Sequence, residues 1–273
     1  MRLAASLEVP RGAADAPVVV LGNSIGTTRA VWEPQLPALR ERFRVLRFEY
    51  PGHGDPGAPG TPEHPGAGAP LRPPAPPGPY TIAGLGTGVL ALLDARGIER
   101  AAYCGISLGG MVGMWLAAHA PQRITALGLC CTSAFLPPAS GWTSRAALVR
   151  ADGMTAVSGL AATRWFTRSF RAREPAVAAG VIAGLEAAEP EGYAGCCEAI
   201  AAMDLRPALA SITAPAFVIA GADDPATPPW HGAVIASGIP GARLLVIRGA
   251  AHLANIETPG PVTATLLAHL STA

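Results

Sequence analysis

No lysine occurs in these 273 residues; apart from histidine, every basic side chain is arginine. That absence excludes a lysine Schiff base, a lysine general base and a phosphate loop of the Walker type. Charge of either sign is scarce, at 14% of residues with a formal net charge of +1. Such a balance leaves no electrostatic footprint for nucleic acid or an anionic membrane. Cysteine is sparse and poorly arranged for bridging. Cys104, Cys130, Cys131, Cys196 and Cys197 are odd in number, include two adjacent pairs and lack metal-ligand spacing. Cys104 and the Cys130-Cys131 pair lie in apolar runs, as small core residues do. No metal and no other cofactor is implied. No run approaches a membrane span, and the N-terminus lacks a continuous apolar segment of the signal-peptide kind. A soluble, cytoplasmic protein with reduced thiols is expected.

Half of the chain is hydrophobic, enough to bury a large core as one domain or as a domain with an insertion. Strand-like and helix-like segments alternate, which argues for α/β architecture: a mostly parallel sheet with helices on both faces. The strand candidates are Pro17–Leu21, Phe43–Phe48, Ala101–Cys104, Ala126–Cys131, Ala216–Ala220 and Arg243–Ile247. Helical candidates include Ile82–Arg96, stopped by Gly97, and Pro261–Leu270. Two regions break the rhythm. Residues 55–79 are dominated by Pro and Gly and read as an irregular surface loop insertion. Residues 136–206 carry helical patterns without strand signals, at Ser144–Leu148, Val157–Phe166, Val177–Leu185 and Tyr193–Met203. They read as a helical cap over the C-terminal edge of a sheet built from 1–135 and 207–273, where open α/β sheets bind ligands.

Gly105-Ile106-Ser107-Leu108-Gly109 sits between an apolar strand candidate and the apolar run Met111–Ala118. A strand-to-helix turn this tight strains the serine backbone, and side chains two residues away would collide with neighbouring elements. The hydroxyl would then stand at the positive end of a helix. A serine needs a base, and the base needs a carboxylate to hold its tautomer. Of six histidines, only His252 follows a strong strand candidate directly and opens a loop. His53 belongs to a Gly-His-Gly turn, while His64, His119, His231 and His269 lie in the insertion, in helical segments or beside Trp230. The carboxylate comes from Gly221-Ala222-Asp223-Asp224-Pro225, where either aspartate is a candidate. The order Ser, Asp, His is that of α/β-hydrolases. An oxyanion hole needs two backbone N–H groups: Leu108 supplies one and Ile25, in the loop Asn23–Thr27, the second.

Together these residues resemble the 3-oxoadipate enol-lactonases of the α/β-hydrolase superfamily. The resemblance rests on Asn23-Ser24-Ile25-Gly26-Thr27-Thr28 followed by Trp32–Pro37, on Gly78–Ile82, on Arg164-Trp165-Phe166-Thr167, on Glu191–Cys197 and on Ala251–Glu257. It runs from about Pro17 to the C-terminus, interrupted by the Pro-rich insertion. The resemblance selects Asp224 over Asp223. It also marks departures: the segment before Pro17 is short for the usual N-terminal hairpin, which implies a missing edge strand, and Glu49-Tyr50-Pro51 stands where relatives usually carry Asp and Arg.

The implied activity is hydrolysis of an enol-lactone to 3-oxoadipate in the β-ketoadipate pathway of aromatic catabolism. Ser107 would attack, with His252 as base, Asp224 as its partner, and the N–H groups of Ile25 and Leu108 holding the oxyanion. The small-molecule substrate carries a free carboxylate; Ser24, Trp142, Arg145 and Arg164 are candidate contacts. Rival readings keep the triad but change the substrate: a carboxylesterase, a C–C bond hydrolase of ring-cleavage products, or a cofactor-free perhydrolase. A non-catalytic ligand-binding protein on the same fold is the rival of another class.

Overall fold

The computed structural model describes residues 3–9, 15–54 and 75–271. His64 and most of the 55–79 insertion lie outside them. Among the described residues one sheet has seven strands: β1 (Ala4–Glu8), β2 (Val18–Gly22), β3 (Arg44–Glu49), β4 (Ala101–Ile106), β5 (Ile124–Cys130), β6 (Ala216–Gly221) and β7 (Arg243–Ile247). Their spatial order is β1-β3-β2-β4-β5-β6-β7. β1 runs antiparallel to β3 and every other pair is parallel. β2, β4 and most of β5 are buried from end to end, as strands covered by helices on both faces must be. At the N-terminal edge the described residues carry one antiparallel strand, β1, where the resemblance led to the expectation of a shortened hairpin.

The helices are α1 (Leu36–Leu39), α2 (Ile82–Ala95), α3 (Leu108–His119), α4 (Ala139–Asp152), α5 (Thr155–Trp165), α6 (Arg168–Arg173), α7 (Pro175–Glu186), α8 (Pro190–Ala201), α9 (Pro229–Gly238), α10 (Ala254–Glu257) and α11 (Pro259–Leu270). α2 starts at Thr81, whose hydroxyl accepts the Gly84 N–H at 2.9 Å, and ends at Gly97, which adopts φ 62. The Ile98 N–H returns to the Leu93 carbonyl. Glycine is favoured there because a left-handed residue closes the last turn. α3 follows β4 and is apolar almost all round, so it packs beneath neighbours on every side.

α4 to α8 form a helical insert between β5 and β6, with α4 packed along α8. The backbone closes at its root: Phe135 bridges Asp204, and the Leu205 N–H donates to the Ala134 carbonyl. Residues 75–79, the end of the Pro-rich stretch, carry no helix or strand and are fastened to α8. The Ala75 and Gly78 N–H groups donate to Glu189 and Glu191. One boundary differs from the sequence-based expectation: α4 begins five residues before Ser144, directly after Pro137-Pro138. α9 begins at Pro229; proline is tolerated at the first position of a helix, where its missing N–H costs nothing.

Candidate active site

Ser107 occupies the turn between β4 and α3 with φ 53 and ψ −116. A non-glycine residue in that region is strained, and the surroundings enforce it. A Cβ on Gly105 would overlap the backbone of Gly109, and one on Gly109 would overlap the Gly22 carbonyl. Both glycines of the pentapeptide are therefore steric requirements. The Ser107 N–H donates to the Cys130 carbonyl at 3.0 Å, and the Thr132 hydroxyl donates to the Ser107 carbonyl at 2.6 Å.

The loop after β2 is tied to this turn. The Gly109 N–H donates to the Asn23 carbonyl at 2.9 Å, which brings the start of α3 against the loop carrying Ile25. Among the described residues no backbone group engages the N–H of Ile25 or of Leu108. Gly26, at φ 75, donates its N–H to His53 Nε2 at 3.0 Å. His53 Nδ1 in turn lies 3.0 Å from the Pro51 carbonyl, so Nδ1 carries the proton and Nε2 accepts. Burial pushes the His53 pKa down to about 4, against the Pro51 carbonyl and Glu189. The ring stays neutral and keeps its acceptor. Glu49, at the end of β3, holds both ends of the same loop: it accepts the Asn23 side-chain amide at 3.2 Å and the Arg29 N–H at 2.9 Å. Burial pushes its pKa up to about 7, with the Arg29 N–H, Arg29, Arg47 and Asn23 opposing.

His252 follows β7, and its Nδ1 donates to Asp224 Oδ2 at 2.8 Å. Asp224 also accepts the Ala226 N–H at 2.7 Å, the Thr227 N–H at 3.0 Å and the Thr227 hydroxyl at 2.7 Å. Burial works to raise the Asp224 pKa, but His252 and the Thr227 donors outweigh it and hold the group below its ordinary value. The neighbouring Asp223 is exposed, so the structure resolves which aspartate meets the imidazole.

Ser107 and His252 both line a cavity of about 280 Å³, with Ile25 at its edge. Among the described residues no hydrogen bond joins the serine to the imidazole. Such bonds are often long before substrate arrives. The helical insert closes the other side with Trp142, Arg145, Val157, Arg164 and Trp165. The early start of α4 puts Trp142 one turn before Arg145, and the guanidinium lies over the indole, 4.6 Å from the ring centroid. Among the described residues neither Arg145 nor Arg164 pairs with a carboxylate. Burial and the nearby Arg145 lower the Arg164 pKa.

Ser24 is not brought to this cavity. Its carbonyl accepts from the Thr27 N–H and hydroxyl, and its own hydroxyl is fully buried with no partner. It belongs to the fold of the loop. The other described histidines stand elsewhere: His119 stacks on Trp115, His231 bonds Ser133 and His269 meets the Leu127 carbonyl. Among the described residues no cluster of His, Cys, Asp or Glu is arranged to hold a metal. Sequence reasoning assigned no role to His53, Glu49 or Thr227. The only signal for His53 was a histidine between two glycines in a tight turn.

A strained serine between two obligatory glycines, an aspartate-held imidazole and a seven-stranded sheet of this order define a hydrolase of the α/β type. The chain belongs to the alpha/beta hydrolase fold family, whose model matches residues 17–259. It is 39% identical to 3-oxoadipate enol-lactonase 2 of Acinetobacter baylyi and 34% identical to 3-oxoadipate enol-lactonase 1 of the same organism, each over 91% of this chain and 86% of the relative. Its fold is similar to the crystal structure of the enol-lactonase from Burkholderia xenovorans LB400, with a TM-score of 0.89, 39% identity, and coverage of 98% of this chain and 96% of that one.

Proposed function

We propose that the protein is a serine hydrolase that opens an enol-lactone bearing a free carboxylate, converting 3-oxoadipate enol-lactone to 3-oxoadipate. The observation that carries this reading is a cavity with two kinds of chemistry. Ser107 and the aspartate-held His252 lie on the sheet side, and two arginines without a carboxylate partner lie on the helical side. The similarity to two enol-lactonases over nine-tenths of the chain supports the substrate class.

In this reading His252 takes the Ser107 proton as Oγ attacks the lactone carbonyl, and Asp224 stabilises the imidazolium that forms. The N–H groups of Ile25 and Leu108 receive the oxyanion; one such donor contributes roughly 3–4 kcal/mol to the transition state. The imidazolium of His252 gives its proton to the ring oxygen, which leaves as an enol, a better leaving group than an ordinary alkoxide, and the enol tautomerises to a ketone. His252 then activates water, which cleaves the acyl-enzyme and frees Ser107. Residues 136–206 act as the cap, and Trp142, Arg145 and Arg164 receive the carboxylate that takes no part in bond breaking.

The test supplies the enol-lactone by isomerising muconolactone and follows its loss beside p-nitrophenyl esters and ring-cleavage dienones. The enol-lactone is expected to exceed the neutral esters by about 100-fold in kcat/KM, the scale of one or two hydrogen bonds to a charged group. Ester turnover without enol-lactone turnover would reject the substrate. Failure of a fluorophosphonate to label Ser107 in the folded protein would favour a binding protein instead.

A further inference from the structure

α10 directly follows the His252 loop, and its last residue, Glu257, is a buried carboxylate that none of the proposed hydrolytic steps uses. Its Oε2 accepts the N–H of Ala251, the residue before His252. Its Oε1 accepts the Thr167 N–H at 2.7 Å and the Thr167 hydroxyl at 2.9 Å. Thr167 begins α6, where its hydroxyl oxygen accepts the Phe170 N–H, and it stands three residues beyond Arg164 and two beyond Trp165 on the cavity wall. A second tie runs beside the first: the N–H of Leu253, the residue after His252, donates to the Trp165 carbonyl at 3.0 Å. Both neighbours of His252 are thus bonded to the α5–α6 junction, one directly and one through Glu257. A carboxylate accepts at both oxygens, and this one has a donor or donors from a different segment on each.

We infer that Glu257 is a positioning residue that locks the His252 loop to the Arg164–Trp165 wall, so that seating a carboxylate at the wall and aligning the imidazole become one event. The identity of the seated group rests on the proposed function; the lock itself does not. Loosening it should cost alignment for every substrate, and more for one that spans from wall to imidazole.

Glu257→Gln keeps the volume but replaces one acceptor oxygen with an NH2 donor, so it can satisfy only one side of the junction. Its kcat is expected to fall about tenfold on a neutral ester and about a hundredfold on the carboxylated lactone, the range that ångström-scale misplacement produces. KM for the lactone should change much less than kcat. Thr167→Val, which removes one donor to Glu257 together with the acceptor of the Phe170 N–H, should show the same inequality in weaker form, and Thr167→Ser, which keeps both, should restore it to the wild-type pattern. Equal losses on both substrates, or none, would overturn the lock. If the wild-type protein prefers no carboxylated lactone, the proposed function fails separately. The lock is then read from the rate at which a neutral fluorophosphonate labels Ser107: a tenfold fall in Glu257→Gln supports it, and an unchanged rate overturns it.

Discussion

On the sheet side of the cavity the polar groups that shape the site are held by short, named bonds. Asp224 accepts four donors, His53 holds the Gly26 N–H, and Glu49 clasps both ends of the loop that carries Ile25. On the helical side, Trp142, Arg145 and Arg164 are only half-buried, and the two cations have no carboxylate to hold them among the described residues. Preorganised donors are most valuable where charge develops during reaction. A site for a charged substrate instead needs cations left unneutralised until the substrate arrives. Under the proposed function, the difference assigns the reaction to the strand ends and the choice of substrate to the insert.

The sharpest way to break that division is to remove the reacting groups. Ser107→Ala and His252→Ala are each expected to lower kcat by about 10⁴-fold or more, and the double variant should be scarcely worse, because the residues act as a unit. Additive losses, measured as kcat on any turned-over ester, would mean that the two side chains do not work together.

A smaller effect separates the two sides. Arg164→Ala and Arg145→Ala are expected to reduce kcat/KM for the carboxylated lactone by about 10- to 100-fold each while leaving a neutral ester within about twofold, since a hydrogen bond to a charged group is worth about 1.5–3 kcal/mol. Steady-state kinetics on the two substrates checks this. Equal losses on both would show that the arginines hold the insert together rather than the substrate.

The same division explains what the sequence made legible. Ser107, the Asp223-Asp224 pair and His252 stand at strand ends flanked by glycine, where local pattern and chemistry coincide, and every strand candidate falls within two residues of an observed strand. The choice between the aspartates depends on which one meets His252, 28 residues further along the chain, a tertiary fact that composition left open and that only the family resemblance addressed. Ser24 sits in a loop whose composition suits a ligand contact, yet its hydroxyl is sealed in the interior. α4 begins directly after two prolines and α9 at one, and prolines mark a loop and the first turn of a helix equally well. Glu49, His53 and Glu257 act through backbone N–H groups up to 90 residues away, and no periodicity or spacing records such bonds.

An effect on stability rather than on rate tests how the sheet side is held, through two buried groups whose responses to pH oppose each other. In the folded protein the His53 pKa is pushed by burial from 6.5 down to about 4. Between those values the unfolded chain binds a proton that the folded chain refuses, so the contribution of His53 is present above pH 6.5 and is lost as pH falls toward 4. The Glu49 pKa is pushed by burial from 4.5 up to about 7. There the folded chain keeps a proton that the unfolded chain has released, so its contribution is present below pH 4.5 and is lost as pH rises toward 7. Each is worth up to about 3 kcal/mol across its window, and between pH 4.5 and 6.5 the two slopes nearly cancel. Relative to the wild-type profile, His53→Gln, which preserves an acceptor for the Gly26 N–H, should shift the slope of stability against pH downward across that range. Glu49→Gln should shift it upward. Arg164→Ala, on the helical side, should keep the wild-type profile. Denaturant midpoints at pH 4.5, 5.5 and 6.5 decide the matter. If the His53 and Glu49 variants track the wild-type profile, the loop carrying Ile25 owes its stability to neither group, and the contrast between a locked sheet side and an open helical side loses its electrostatic basis.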